Sequence, residues 1–194
     1  MKKNERLETW LTEWDVEKNP LLPREYRAYF HCFNAGDFYE AHDVLEHLWL
    51  QCQDENRSFY QALIQFAGAF VHLQKHALYP EHPTHGRRLR PGARLFALAD
   101  ARLAAYPAVH LNLDLLEVRG LCSLWSQRAL RVGTETGRTL ESPLTAFDPP
   151  QLVLIPNLEE NWSFYPGNAE PQLRFDALKA QTGIAELGLR APRC

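Results

Sequence analysis

Apolar residues between the N-terminus and about residue 130 recur at intervals of three and four positions. This spacing places them on one side of a 3.6-residue helix and predicts amphipathic helices. The longest stripe belongs to a helix predicted at 58–78: Phe59, Ala62, Leu63, Phe66, Ala69, Phe70 and Leu73. Other helices are predicted at 4–14, 23–33, 38–53, 92–105 and 115–130. We therefore expect an all-α fold, a small bundle of five or six helices.

Short polar motifs mark where several of these helices begin. In a capping box, the side chains at the helix start and three residues later bond free backbone amides. Three pairs have this spacing: Asp37 with Glu40, Ser58 with Gln61, and Asp114 with Glu117. Residues 79–91 contain three prolines and a glycine, so this segment is predicted to be a loop.

The pattern changes after residue 132, where Gly, Pro, Thr and Asn become frequent. A strand-like run at 151–155 and one or two helical turns at 176–182 are the regular structure predicted there. The apolar content is too thin for a second core. We therefore divide the chain into a helical bundle domain, residues 1–131, and a largely irregular C-terminal extension, residues 132–194, that lies over the helical body.

Charge and cysteine content exclude several classes of protein. The 194 residues carry 21 basic and 24 acidic side chains, a net charge of −3, whereas nucleic-acid binding needs a concentrated basic face. The basic cluster at 87–90 is interpreted as a solvated part of the loop. No apolar run reaches the ~18 residues of a membrane span, and the charged N-terminus lacks the apolar segment of a signal peptide. The four cysteines are scattered. A cytoplasmic protein with reduced thiols and without nucleic-acid or membrane partners is expected.

The segment 33–49 carries the strongest candidate chemistry. His42 and Glu46 are four positions apart and lie about 40° apart on one helix face, at the edge of the apolar stripe beside Trp49. Asp43 and His47 point about 100° and 140° away from His42 and are expected on a solvated face. Burying an imidazole and a carboxylate costs several kcal/mol unless other groups satisfy them.

The helix at 58–78 offers such groups in one polar line: Gln61, Gln65, Gly68 and His72. If the helices at 38–53 and 58–78 pack antiparallel, the two polar seams face each other and form a buried site of His42, Glu46, Gln65 and His72. A catalytic metal normally has three protein ligands, which makes His72 the third beside His42 and Glu46. Imidazole and carboxylate ligands suit a divalent ion such as Zn, Mn, Fe or Ni.

Residues 33–49, followed by 59–72 and later by 91–95, resemble the DUF309 family. This bacterial and archaeal all-helical family of unknown function carries a His-x-x-x-Glu-x-x-Trp/Tyr motif, here at His42, Glu46 and Trp49. The resemblance covers about residues 26–105. It implies a small helical bundle and a suspected metal role for His42 and Glu46. Similar proteins turn through a short Gly-Asn segment where this chain inserts residues 78–90.

Two functions are compatible with these residues, and the sequence does not decide whether the protein is an enzyme. The first is a metal-binding protein, in its furthest form a metal-dependent hydrolase of an unidentified small molecule. Its residues would be His42, Glu46 and His72 as ligands, Gln65 to orient a bound water, and Glu40 or Asp43 as base.

The second is a non-catalytic interaction module, in which the His/Glu/Gln network only fixes the register of the helices. Trp10 and Trp14 would then anchor a protein partner. The module requires direct hydrogen bonds from His42 to Glu46 or Gln65, whereas the metal site requires three converging ligand atoms. Substrate, metal identity and oligomeric state are not fixed by the sequence.

Overall fold

The computed structural model of the chain describes residue 11 and residues 22–132 and 143–155. Within these ranges the fold is all-α, as predicted, with five long helices: α1 (Arg24–Asn34), α2 (Phe38–Gln51), α3 (Asn56–Leu78), α4 (Leu89–Leu103) and α5 (Leu115–Val132). Shorter elements are a 3₁₀ turn (His85–Arg87), the strands β1 (Val109–His110) and β2 (Leu113–Asp114), and the four-residue helix α6 (Pro143–Ala146). No described helix is long and apolar enough to cross a membrane. The helix predicted at 4–14 is described only at Leu11, and the turns predicted at 176–182 lie outside the described residues.

Consecutive long helices pack against one another, and α2 with α3 and α4 with α5 run in opposite directions. The chain reverses between α1 and α2 at Gly36, whose φ of +84° is a left-handed conformation that glycine adopts without strain. Gln74, near the end of α3, donates to the Gly36 carbonyl before the start of α2 at 3.4 Å. Arg119 of α5 donates to Asp100, near the end of α4, at 2.7 Å. The helices that carry the candidate residues, α2 and α3, are therefore antiparallel neighbours, as the sequence analysis assumed.

The core is centred on Phe70 of α3, where all five long helices meet. Its ring centroid lies 5.3 Å from that of Phe33 in α1, 5.0 Å from Phe38 in α2, 5.1 Å from Phe96 in α4 and 5.0 Å from Trp125 in α5. The whole apolar stripe predicted on this helix is fully buried. Burial of large aromatic side chains contributes strongly to the stability of a small bundle. It also fixes which faces of α2, α3 and α4 remain for polar groups.

Two of the three predicted capping boxes are wrong. Asp37 does precede α2, but its side chain makes no capping hydrogen bond, so no capping box with Glu40 forms. Helix α3 begins at Asn56, two residues before Ser58. It begins earlier because Asp54 Oδ1 accepts the Asn56 amide at 2.8 Å and satisfies a free donor of the first turn.

Of the third predicted pair, the cap at Asp114 is confirmed. The Asp114 carboxylate accepts the backbone amides of Leu116 at 2.9 Å and Glu117 at 3.1 Å, at the start of α5. Helix α4 begins at Leu89, earlier than the predicted residue 92, so the loop before it is shorter than expected. This loop is attached to α3 by the buried His76, whose Nδ1 bonds the Gly86 carbonyl at 2.9 Å.

The hairpin of β1 and β2 was missed by the sequence analysis. The two strands pair antiparallel around Leu111 and Asn112, which have positive φ values of 44° and 61°. Two successive positive φ values are typical of a type I′ hairpin turn. Asn is common at such positions, but Leu is not. Only one of the two turn residues therefore indicates a hairpin in the sequence.

Residues 151–155 lie on this hairpin and on the end of α1. Leu154 forms an antiparallel bridge with Leu113, and the Ile155 amide donates to the Asn112 carbonyl at 2.6 Å. The Asn34 side chain bonds both backbone groups of Leu152, each at 2.8 Å. The part of the extension that the structure describes therefore packs on the helical body. The boundaries of the two predicted domains stay predictions.

Candidate metal centre

Three side chains of α2 form the candidate site. His42, Asp43 and Glu46 each bring one possible ligand atom to within 4.8 Å of the other two. The His42 Nδ1 atom lies 3.2 Å from Asp43 Oδ1. His42 and Glu46 share a helix face because they are four positions apart, whereas Asp43 joins them through its short side chain. Within residues 22–132 and 143–155, this is the group of metal-ligating side chains that the fold brings together.

The site lies at the margin of the bundle and is partly covered by protein. The side chain of His42 is 30% exposed and that of Asp43 is 14% exposed. The His47 side chain is also 14% exposed, with its Nδ1 3.7 Å from the Glu25 carboxylate of α1. The solvated face expected for Asp43 and His47 was therefore wrong. Helix α2 packs against both α1 and α3, which covers more of its circumference than a single apolar stripe indicates.

Glu46 is partly buried and forms no hydrogen bond or ion pair with the described part of the chain. His42 bonds Asp43, and among the described residues it bonds neither Glu46 nor Gln65. The network that would fix helix register in a pure interaction module needs one of those two bonds. Within the described ranges, the Glu46 carboxylate oxygens therefore have no protein partner.

His42 packs against α3 at Gly68. A Cβ added at Gly68 would lie 3.7 Å from His42 Cδ2 and 3.6 Å from Leu95 Cδ1 of α4. Gly68 of α3 therefore lies between α2 and α4, with the His42 imidazole of α2 and the Leu95 side chain of α4 both next to it. At this position the polar face of α2 and the polar line of α3 lie opposite each other, as predicted.

His72 lies one helical turn beyond Gly68, toward the end of α3. Because α2 and α3 are antiparallel, that level corresponds to the start of α2, before His42. Among the described residues His72 is not part of the ligand group. Its predicted role as third ligand stays a prediction, and Asp43 takes the third place in the observed geometry.

The surroundings of His72 are cationic. Arg88 Nη1 donates to its Nδ1 at 3.4 Å. Burial, followed by the charges of Arg88 and Lys75, lowers the pKa of His72 from 6.5 to about 4. The imidazole is therefore neutral near pH 7.

The two other predicted residues differ in their position. Gln65 lies on α3 one turn before Gly68, and its Oε1 accepts a hydrogen bond from Arg102 of α4 at 3.1 Å. Its amide NH₂ group remains a donor. Glu40 is exposed and lies on α2 about 160° from His42. Of these two, only Gln65 lies on the face of the bundle that carries the candidate site.

Trp49, the last residue of the motif, packs against the core. The Arg57 guanidinium lies over its ring, 4.4 Å from the centroid, and donates to its backbone carbonyl at 2.8 Å. The indole Nε1 is buried without a hydrogen-bond partner among the described residues. These contacts fit the structural role that the sequence analysis favoured for this residue over a substrate platform.

Comparison with known families agrees with the motif. Residues 26–79, which cover most of α1 and all of α2 and α3, match the family model described as Domain of unknown function (DUF309). The resemblance was expected to reach about residue 105, but the match ends before α4. No curated protein and no solved structure matches the chain significantly.

Proposed function

We propose that the segment 26–79, which matches the DUF309 family model, binds one divalent metal ion through His42, Asp43 and Glu46. The observation that carries the proposal is the convergence of one imidazole and two carboxylates, with ligand atoms within 4.8 Å of one another. Two ligands of one ion lie at most about 4.4 Å apart, twice a ligand distance of ~2.2 Å. Small side-chain rotations would therefore close the site around an ion.

The electrostatics of the three residues support a cation. Asp43 and Glu46 are carboxylates on the same part of α2, and Glu46 has no counter-ion among the described residues. A cation between them would relieve their mutual repulsion and supply the partner that Glu46 lacks. Partial burial strengthens this attraction because less water screens it.

One imidazole and two carboxylates suit Zn, Mn, Fe or Ni, and three protein ligands leave coordination positions for water and substrate. The reaction class we propose is hydrolysis, since such an ion lowers the pKa of a bound water and polarises the bond under attack. Gln65 contributes a side-chain amide donor from the α3 side of the site. Gly68 of α3 lies beside the His42 imidazole and has no side chain that would displace it.

Asp43 can serve the site in two ways, and metal retention by Asp43→Asn would exclude the first of them. As a direct ligand, Asp43 contributes its negative charge to the ion. As a positioning residue, Asp43 accepts a hydrogen bond from the Nδ1–H group of His42 at 3.2 Å, and His42 would then bind the ion through Nε2. Asn keeps an acceptor oxygen but removes the charge. We assign Asp43 as a ligand, so Asp43→Asn should weaken metal binding.

The test is metal content by mass spectrometry on purified full-length protein without an affinity tag. After exposure to Zn or Mn and dialysis, the wild type should hold about one ion per chain, and His42→Ala should hold none. Asp43→Asn and Glu46→Gln each remove the charge of a proposed ligand, so each should retain less metal than the wild type. The control is His31→Ala, an exposed histidine of α1, which should bind metal like the wild type.

A wild type that takes up none of Zn, Mn, Fe or Ni would refute the centre. Equal metal content in the wild type and His42→Ala would place the bound metal elsewhere. Metal retained by Asp43→Asn but lost from His42→Ala would make Asp43 a positioning residue rather than a ligand.

A further inference from the structure

Three cationic side chains on or next to α3 and α4 have no carboxylate partner among the described residues. Lys75 lies on α3, Arg88 directly precedes α4, and Arg102 lies near the end of α4. Each is partly buried, and none forms an ion pair within the described part of the chain. By contrast, Arg119 between α4 and α5 is paired with Asp100 at 2.7 Å. Partly buried cations that lack a counter-ion attract anions.

Lys75 and Arg88 approach the same imidazole. Arg88 Nη1 donates to His72 Nδ1 at 3.4 Å, and Arg88 Nε donates to His85 Nδ1 at 3.1 Å. Two imidazoles, rather than an acid, therefore orient the guanidinium, and its other N–H groups remain available. Because arginine can only donate, His72 Nδ1 is the acceptor, and Nε2 of the neutral ring carries the hydrogen.

The charges of Arg88 and Lys75 both act on His72, where together with burial they lower its pKa to about 4. The imidazole therefore adds a neutral N–H donor at neutral pH and no third charge. Two positive charges beside one neutral donor match a doubly charged tetrahedral oxyanion. A singly charged carboxylate would leave one of the two cations without a partner.

This cationic group, defined by His72, Lys75 and Arg88, lies next to the metal centre. Lys75 Nζ is 5.8 Å from the centroid of the Tyr39 ring. The Tyr39 ring in turn lies 6.4 Å from the His42 ring, at an interplanar angle of 15°. The Tyr39 ring therefore lies near both the Lys75 ammonium and the His42 imidazole. These distances are short enough for one small molecule to contact both side chains.

We infer that the cationic group binds the phosphoryl group of a small phosphorylated molecule, with the rest of that molecule extending past Tyr39 to His42. The inference that this molecule is a substrate rests on the proposed function. The inference that the cationic group binds an anion does not, because Lys75 and Arg88 are side chains of the protein and need no bound metal. A nucleic acid is the less favoured source of phosphate, since the chain has a net charge of −3.

The test is calorimetric titration of inorganic phosphate into the metal-free full-length chain at low ionic strength. The wild type should bind phosphate, and Lys75→Gln and Arg88→Gln should each weaken binding by about tenfold or more. Arg88→Lys keeps the charge but loses the planar fork, so its loss should be smaller. The matched control is Arg94→Gln, an exposed arginine of α4, which should bind like the wild type. Circular dichroism checks that each variant is folded.

Two results would overturn the inference: a folded wild type that does not bind phosphate, or equal weakening by Arg94→Gln, which would indicate diffuse surface charge. Binding of a short single-stranded oligonucleotide in place of phosphate would also overturn it. The metal measurement is independent of this titration. Phosphate binding by a chain that takes up no metal would support the anion site and refute the metal centre, so the two proposals can fail separately.

Discussion

At the scale of single residues, the polar seam of α3 depends on the charge state of its imidazole. His72 is neutral because burial and two neighbouring cations oppose its protonation. A protonated ring would place a third positive charge beside Arg88 and Lys75 and would lose Nδ1 as the acceptor for Arg88. Protonation of His72 Nδ1 therefore excludes the hydrogen bond from Arg88 to the same atom.

This competition predicts that acid destabilises the fold through His72. Its pKa is 6.5 in the unfolded chain and about 4 in the folded chain. Between these values the unfolded state binds more protons, so the stabilisation is complete above about pH 6.5 and is lost as the pH falls toward 4. The free energy of unfolding of the wild type should therefore fall between about pH 7.5 and about pH 5. In His72→Gln this fall should be smaller by on the order of 1 kcal/mol.

Urea unfolding at the two pH values measures this effect. His31→Gln, at an exposed position of α1, serves as the control and should keep the wild-type pH dependence. A His72→Gln variant with the full wild-type pH dependence would show that the folded chain does not oppose protonation of this residue.

The residue scale also shows where sequence reasoning stopped short. The pairing of His42 with Glu46 follows from helix periodicity alone, because residues four apart share a face. Asp43 was assigned to the solvated face because adjacent helix residues diverge by about 100°. A helical wheel describes backbone directions, whereas a short side chain next to an imidazole can turn to reach it, here at 3.2 Å. A histidine followed directly by an aspartate was the signal that the wheel concealed.

At the scale of elements, periodicity predicts the body of a helix better than its ends. The stripe of α3 is buried as predicted, because packing of many apolar side chains decides it. The ends depend on one or two hydrogen bonds each. The Asp37 cap was wrong for this reason, and the Asp114 cap was right because both amides that it can reach face its carboxylate.

The Asp114 cap predicts a measurable contribution to the stability of α5. Asp114→Ala removes both hydrogen bonds and should lower the free energy of unfolding by about 1 kcal/mol. Asp114→Asn is the matched control, since its side-chain oxygen can still accept the Leu116 and Glu117 amides. Urea denaturation followed by circular dichroism gives both values. Equal destabilisation by Asn and Ala would assign the effect to charge at the helix N-terminus rather than to the hydrogen bonds.

At the scale of the whole molecule, the contacts of Phe70 with all four other long helices explain why the helical body forms one core. Sequence patterns predicted that these helices exist, but not that they meet at one ring. The hairpin of β1 and β2 adds a place for residues 151–155. That contact joins segments about 40 positions apart and leaves no local signal in the sequence.

If residues 151–155 are part of the cooperative unit, then Leu152 should contribute to the stability of the helices. Leu152 is 2% exposed and the adjacent Val153 is 58% exposed, although both are aliphatic. Leu152→Ala should lower the free energy of unfolding, followed by helical circular dichroism, by about 2–4 kcal/mol, because it removes a buried side chain. Val153→Ala should change it by less than about 0.5 kcal/mol. Equal and small effects of both substitutions would mean that this segment detaches before the helices unfold. A large effect confined to Leu152 would make the described part of the extension a component of the same core.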